Sequence, residues 1–146
     1  MIHLRVNLVY MIVVSFVIQY YLMSYIMTNN TANIKNSLGK FYLSSVMASM
    51  MGLTEMFIMG DQNMLVLCIL LIMLVGSVIM YRRQMYINEK EYLNEMIEHH
   101  SMAVFTSQEI LKKTDNYDVA KLAKNIISKQ NDELRIMEEL LVNKKL

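Results

Sequence analysis

Charge divides this chain more sharply than any other property. Of its 27 Asp, Glu, Lys and Arg residues, only Arg5, Lys35, Lys40, Glu55 and Asp61 precede position 82, which leaves 22 in residues 82–146. Between Val6 and Ile34 there is no charged residue at all. A chain so divided cannot fold around one soluble core. Its first part is built for hydrocarbon and its second for water.

The stretch VNLVYMIVVSFVIQYYLMSYIM, residues 6–27, is long enough to cross a bilayer, because roughly 30 Å of hydrocarbon takes about 20 helical residues. A signal peptide would have a shorter apolar region and a small-residue cleavage site; neither is visible, so a retained transmembrane helix is expected. Residues 28–40, TNNTANIKNSLGK, read as a loop. A second span is expected over 41–59, with Glu55 its one charge, then a tight turn GDQN (60–63) and a charge-free third span over 64–81. Helix is the expected form for each, since lipid offers no partners for backbone amides. Three crossings place Lys35, Lys40, Arg82 and Arg83 on one side and Arg5 on the other. The positive-inside rule then favours a cytoplasmic C-terminal part. The chain thus reads as a membrane region, 1–81, followed by a soluble helical domain, 82–146, and the overall class is all-α. A net charge of +1 gives no electrostatic reason to expect nucleic acid as a partner. Cys68 is alone, so no disulfide within the chain is possible.

In the charged part, Leu93, Met96, Ile97, His100, Ala103, Val104, Ile110 and Leu111 follow helical spacing. TDNYD (114–118) supplies turn and capping residues. Val119, Leu122, Ala123, Ile126, Ile127, Gln130, Leu134, Met137, Leu140 and Leu141 then resume the same period. Two amphipathic helices about a short turn predict an antiparallel hairpin. Its register sets His100 near Gln130, with Glu133 one turn further and Met96 and Met137 close to the same polar layer.

Those residue types can hold a metal. Met96 precedes His99 by three positions and His100 by four, and Met102 follows His99 by three, so all lie on neighbouring faces of one helix. Thioether with imidazole suits Cu(I), whereas imidazole with a carboxylate from Glu133 or Glu98 suits Cu(II), zinc or iron. Successive helical residues point about 100° apart, so the two histidines cannot both aim squarely at one spot. The plainer alternative makes Met96 and Met137 packing residues and leaves Gln130 bonding His100 to fix register. Residues 1–80 hold twelve of the 16 methionines. Met47, Met51, Glu55 and Met59 recur every four residues along one side of the second span, either as a soft-metal stripe or as a methionine-rich packing face with Glu55 paired to a polar neighbour.

The motifs MIEHHSMAV (96–104) and LAKNIISKQNDELRIM (122–137) resemble the family called domain of unknown function three-hundred-and-five, over roughly residues 86–142. The resemblance implies half of a ferritin-like four-helix bundle, completed by a second copy, and copper binding, which some bacterial members show. It puts forward Met96, His99, His100 and Met137 as copper ligands, with Gln130 and Glu133 at the family's polar positions. Many members carry a methionine where this chain has Thr106, which reduces the thioether supply. No nucleophile–base pair, phosphate loop or oxidoreductase motif is present, and the Glu-x-x-His pairs of di-iron sites are missing, so no catalysis is expected. The expectation is an integral membrane protein that handles or sequesters copper, a homodimer or higher oligomer in the bilayer. The alternative is a membrane-anchored interaction protein that dimerises through the hairpin without metal.

Overall fold

A computed structural model describes residues 2–143; the side chain of Arg5, weighed above for orientation, lies outside the described set. The described chain is all-α, with no strand. Its elements are α1 (Ile2–Val17), a π-helical turn (Ile18–Leu22), α2 (Met23–Met27), a 3₁₀ turn (Thr31–Asn33), α3 (Leu38–Met59), α4 (Met64–Arg82), α5 (Glu89–Leu111) and α6 (Tyr117–Asn143). Three stretches are long and apolar enough to cross a membrane: Val6–Met27, Leu38–Met59 and Met64–Arg82. The chain divides into two compact units, residues 1–23 with 38–86, and residues 24–37 with 87–146.

In the first unit, α3 packs against both α1 and α4. Leu8, Met56 and Leu70 form its buried apolar cluster, with Ile12, Leu53, Val66, Leu67 and Met73 against it. The packed face of α3 is otherwise made of small residues: Ser44, Ser45, Ala48, Ser49 and Gly52 are all buried. Small side chains let helix backbones approach closely, which drives association where lipid removes the hydrophobic incentive. The buried hydroxyls cost little, because each bonds back one turn: Ser44 Oγ to the Lys40 carbonyl at 2.8 Å, Ser45 Oγ to that of Phe41 at 2.9 Å, and Ser49 Oγ to that of Ser45 at 2.7 Å. At Gly52 an added Cβ would lie 3.0 Å from Ile12 Cγ1 and 3.1 Å from Leu70 Cδ1.

The second span begins at Leu38 rather than at the expected 41, since the polar start is accommodated within the helix. Gly39 is buried, and Lys40 Nζ stands 5.2 Å from the centroid of the Tyr20 ring. Phe16 stacks on Tyr20 at 5.7 Å and meets Phe41 edge-on at 5.3 Å. Gly60 ends α3 at φ +64°, with the Asp61 N–H bonding to the Met56 carbonyl at 2.9 Å, a Schellman arrangement that favours glycine. After α4, Gln84 (φ 50°) and Tyr86 (φ 60°) adopt left-handed backbone, uncommon for a side chain as bulky as tyrosine. Between them, the Met85 carbonyl accepts the Tyr42 hydroxyl at 3.0 Å.

In the second unit, Asn88 caps α5 by accepting the Glu91 N–H at 2.9 Å. The Asn116 side chain opens α6 by accepting from Asp118 and Val119 N–H groups at 2.9 and 3.1 Å. Leu93 and Ile97 of α5 are buried together with Leu134 and Met137 of α6, and Met96, Val104, Leu140 and Leu141 pack around them. The early half of one helix therefore meets the late half of the other. Residues 28–37 of the expected 28–40 loop, together with 24–27 from the end of the expected first span, belong to this unit, and the segment lies along α5. Asn33 Nδ2 donates to Ser101 Oγ at 3.3 Å, and Asn94 Nδ2 to the Asn36 carbonyl at 3.5 Å.

Candidate metal centre

His100 lies at the α5–α6 contact with its side chain 13% exposed. Its Nδ1 stands 3.1 Å from Glu133 Oε2, yet this buried nitrogen makes no hydrogen bond. A neutral ring whose proton sits on Nε2 leaves Nδ1 only a lone pair, which a carboxylate oxygen cannot bond. Burial pushes the His100 imidazole below its ordinary pKa; the Glu133 carboxylate opposes that shift and His99 adds to it. Neutral imidazole is the form that ligates metals.

The other expected ligands take different positions. His99 is exposed, and its ring centroid is 6.1 Å from that of His100, at an interplanar angle of 63°. Met137 is buried in the apolar cluster, and Met96 packs against that cluster. Met102 is half-buried, and Thr106 is exposed with its hydroxyl donating to the Met102 and Ala103 carbonyls at 3.1 and 3.2 Å. Gln130 is half-buried, and the side chain that reaches His100 is that of Glu133. Among the described residues, no three His, Cys, Asp or Glu side chains cluster as a metal cage. The orphaned Nδ1 beside a carboxylate is the feature that fits an ion.

Glu98, the second carboxylate considered for such a site, is buried and faces the 24–37 segment instead. It accepts the Ser24 hydroxyl at 2.5 Å and the Lys35 N–H at 3.1 Å. A glutamate next to a histidine pair gives no local sign of partners 74 and 63 positions away. Its one sequence signal is helical phase, since it falls beside Ile97 rather than on the outward face.

In the membrane region, the Met47–Met59 stripe does not form the packed face of α3. Met47 and Met59 are exposed, as is neighbouring Met50, whereas Met51 and Glu55 are half-buried. Glu55 lines a small cleft with Leu8, Met56, Met59 and Asp61.

Two comparisons with known proteins bear on the chain. The family described as "Domain of unknown function (DUF305)" matches residues 82–141. A protein of Acanthamoeba polyphaga mimivirus, "Uncharacterized protein L153", is 32% identical over 142 residues, covering 93% of this chain and 91% of the relative. The chain belongs to the DUF305 family. No solved structure matches it. The DUF305 match takes in all of α5 and nearly all of α6, and with them His99, His100 and Glu133. It leaves out residues 24–37, whose Ser24 and Lys35 hold Glu98.

Proposed function

We propose that this is a multi-pass membrane protein whose α5–α6 hairpin, half of a ferritin-like bundle, binds a metal ion, copper by family resemblance, in metal handling rather than catalysis. The observation that carries the reading is the buried His100 Nδ1, which has no hydrogen-bond partner although a carboxylate stands beside it. Buried polar nitrogens are almost always satisfied. One that is not, in a family with metal-binding members, is a natural ligand. His100 and Glu133 are the residues that would hold the ion, and the positive-inside count favours a cytoplasmic side for them. The ion would cross-link α5 to α6.

The test uses the full chain in detergent micelles or nanodiscs, titrated with Cu(I) and Cu(II) beside a His99→Ala/His100→Ala variant. Metal-dependent stabilisation of the wild type that the variant lacks is the expected result. Equal, weak responses in both would sink the reading.

A second reading draws on a different observation. Beside the α5–α6 turn lies an open groove of about 270 Å³, lined by Ile110, Val119, Leu122, Ala123 and Ile126 among others. Leu122 is 60% exposed. In this reading the hairpin dimerises through that face and His100 only sets register. A Leu122→Glu variant that becomes monomeric while binding no less metal would separate the two.

A further inference from the structure

The metal reading leaves open which atoms ligate and so which kind of ion is held. We propose that His100 Nδ1 and Glu133 Oε2 form a two-atom chelate for a borderline divalent ion, Cu(II) or Zn(II), and that the methionine sulfurs take no part. This rests on the metal reading and narrows it.

The separation of the two atoms is the first argument. Donors that share one such ion bond to it at about 2.0–2.2 Å. When their angle at the ion lies between a right angle and the tetrahedral value, they stand about 3 Å apart. Nδ1 and Oε2 are 3.1 Å apart. No hydrogen bond forms between them. The pair has the spacing of a chelate and no hydrogen bond that would account for it.

The second argument is how the pair is held. Ile97, one turn before His100, is fully buried, and Leu134, next to Glu133, is buried in the same cluster. The donors thus sit on two helices whose register is fixed by packing, as a preorganised site requires. The third argument concerns sulfur. Met137 is buried among Leu93, Ile97 and Leu134, with Met96 packed against them, so both thioethers are committed to the apolar core. Nitrogen with carboxylate oxygen selects Cu(II) or Zn(II), whereas Cu(I) wants soft sulfur.

Two protein donors also leave coordination positions to water or an incoming ligand. The Glu133 side chain is 52% exposed, so those positions are reachable from solvent. A site of this kind exchanges its ion readily, which fits transfer better than storage.

The experiment compares the full-length wild type with Glu133→Gln, His100→Ala and Met96→Leu/Met137→Leu variants, each checked for helix content. Zn(II), Cu(II) and, under anaerobic reducing conditions, Cu(I) are titrated against a competing chelator. Zn(II) is also added to histidine-¹⁵N-labelled protein to read which His100 nitrogen shifts. Expected are a Zn(II)-induced shift at Nδ1, divalent affinity reduced by at least on the order of tenfold in Glu133→Gln, and no loss in the methionine variant. A shift at Nε2, or Cu(I) binding that depends on the methionines and ignores Glu133→Gln, would overturn the chelate while leaving a metal site standing. Absence of binding by every ion in the wild type would overturn the chelate and the metal reading together.

Discussion

The two units solve opposite packing problems with residues of opposite size. In the unit with the three span-capable helices many large apolar side chains point outward, Phe57 88% and Leu65 71% exposed, whereas Ser44 and Ser49 are fully buried, alongside the buried Leu8, Met56 and Leu70. In the α5–α6 unit the fully buried Ile97 lies at the helix–helix contact, and apart from the buried Glu98 the carboxylates and amines of α5 and α6 lie outside. Burying bulk stabilises only where water is the alternative. Where lipid is the alternative, close backbone approach and dispersion are what remain. One chain thus uses a small-residue interior and a large-residue interior within 146 residues.

Substitutions that exchange the two strategies test this contrast. The largest effect is expected from Ile97→Ala, which removes bulk from a site with no exposed surface and costs about 2–5 kcal/mol. Thermal melts followed by hydrogen exchange across α5 and α6 read it, and unchanged protection in both helices would break the contrast. Gly52→Leu should come next, because even a Cβ there lies 3.0–3.2 Å from Ile12 and Leu70 atoms. Overpacking of that kind costs about 1–3 kcal/mol, visible as a lower melting temperature in detergent. Glu98→Ala withdraws the acceptor from the Ser24 hydroxyl and the Lys35 N–H, at about 1–3 kcal/mol reduced wherever water enters. Its signature is local: faster amide exchange at Lys35 with α6 unaffected. The smallest effect belongs to Gly76→Ala, where an added Cβ meets nothing within 4 Å. A loss there comparable to that of Gly52→Leu would show that Gly76 acts through something other than space.

Much of this architecture is written locally. Charge-free runs of about 20 residues announce the spans, and the boundaries 6–27 and 64–81 fall within one residue of those found. Leu93, Ile97, Leu134 and Met137 follow helical periodicity, and the Asn116 cap lies in the TDNYD turn. What periodicity cannot encode is partnership across distance. Residues 28–37 look like a polar connector, yet they and Ser24 are spent on α5 through Glu98, Ser101 and Asn94. The π turn at Ile18–Leu22 leaves no trace in an unbroken apolar run. At the candidate site, His100 is legible as a polar break in an apolar stripe, but choosing Glu133 over Gln130 as its neighbour takes helix rotation as well as register. The methionine stripe misled for a related reason. Spacing of four marks a face without saying how much of it packs, and the small residues within and beside it, Ser44 to Gly52, are the packed ones.

The 24–37 segment also bears on how the molecule can be taken apart. The family match begins at residue 82, which invites excision of residues 82–146 as a free-standing piece. Such a cut would strip Glu98 of the Ser24 hydroxyl and the Lys35 amide, and Ser101 of Asn33, opening a buried carboxylate to solvent on the helix that carries His100. The foldable module is therefore discontinuous, with a part drawn from the end of the first span and the segment that follows it. Removing the membrane region cleanly means grafting residues 24–37 onto the front of α5 rather than trimming the chain from its N-terminus.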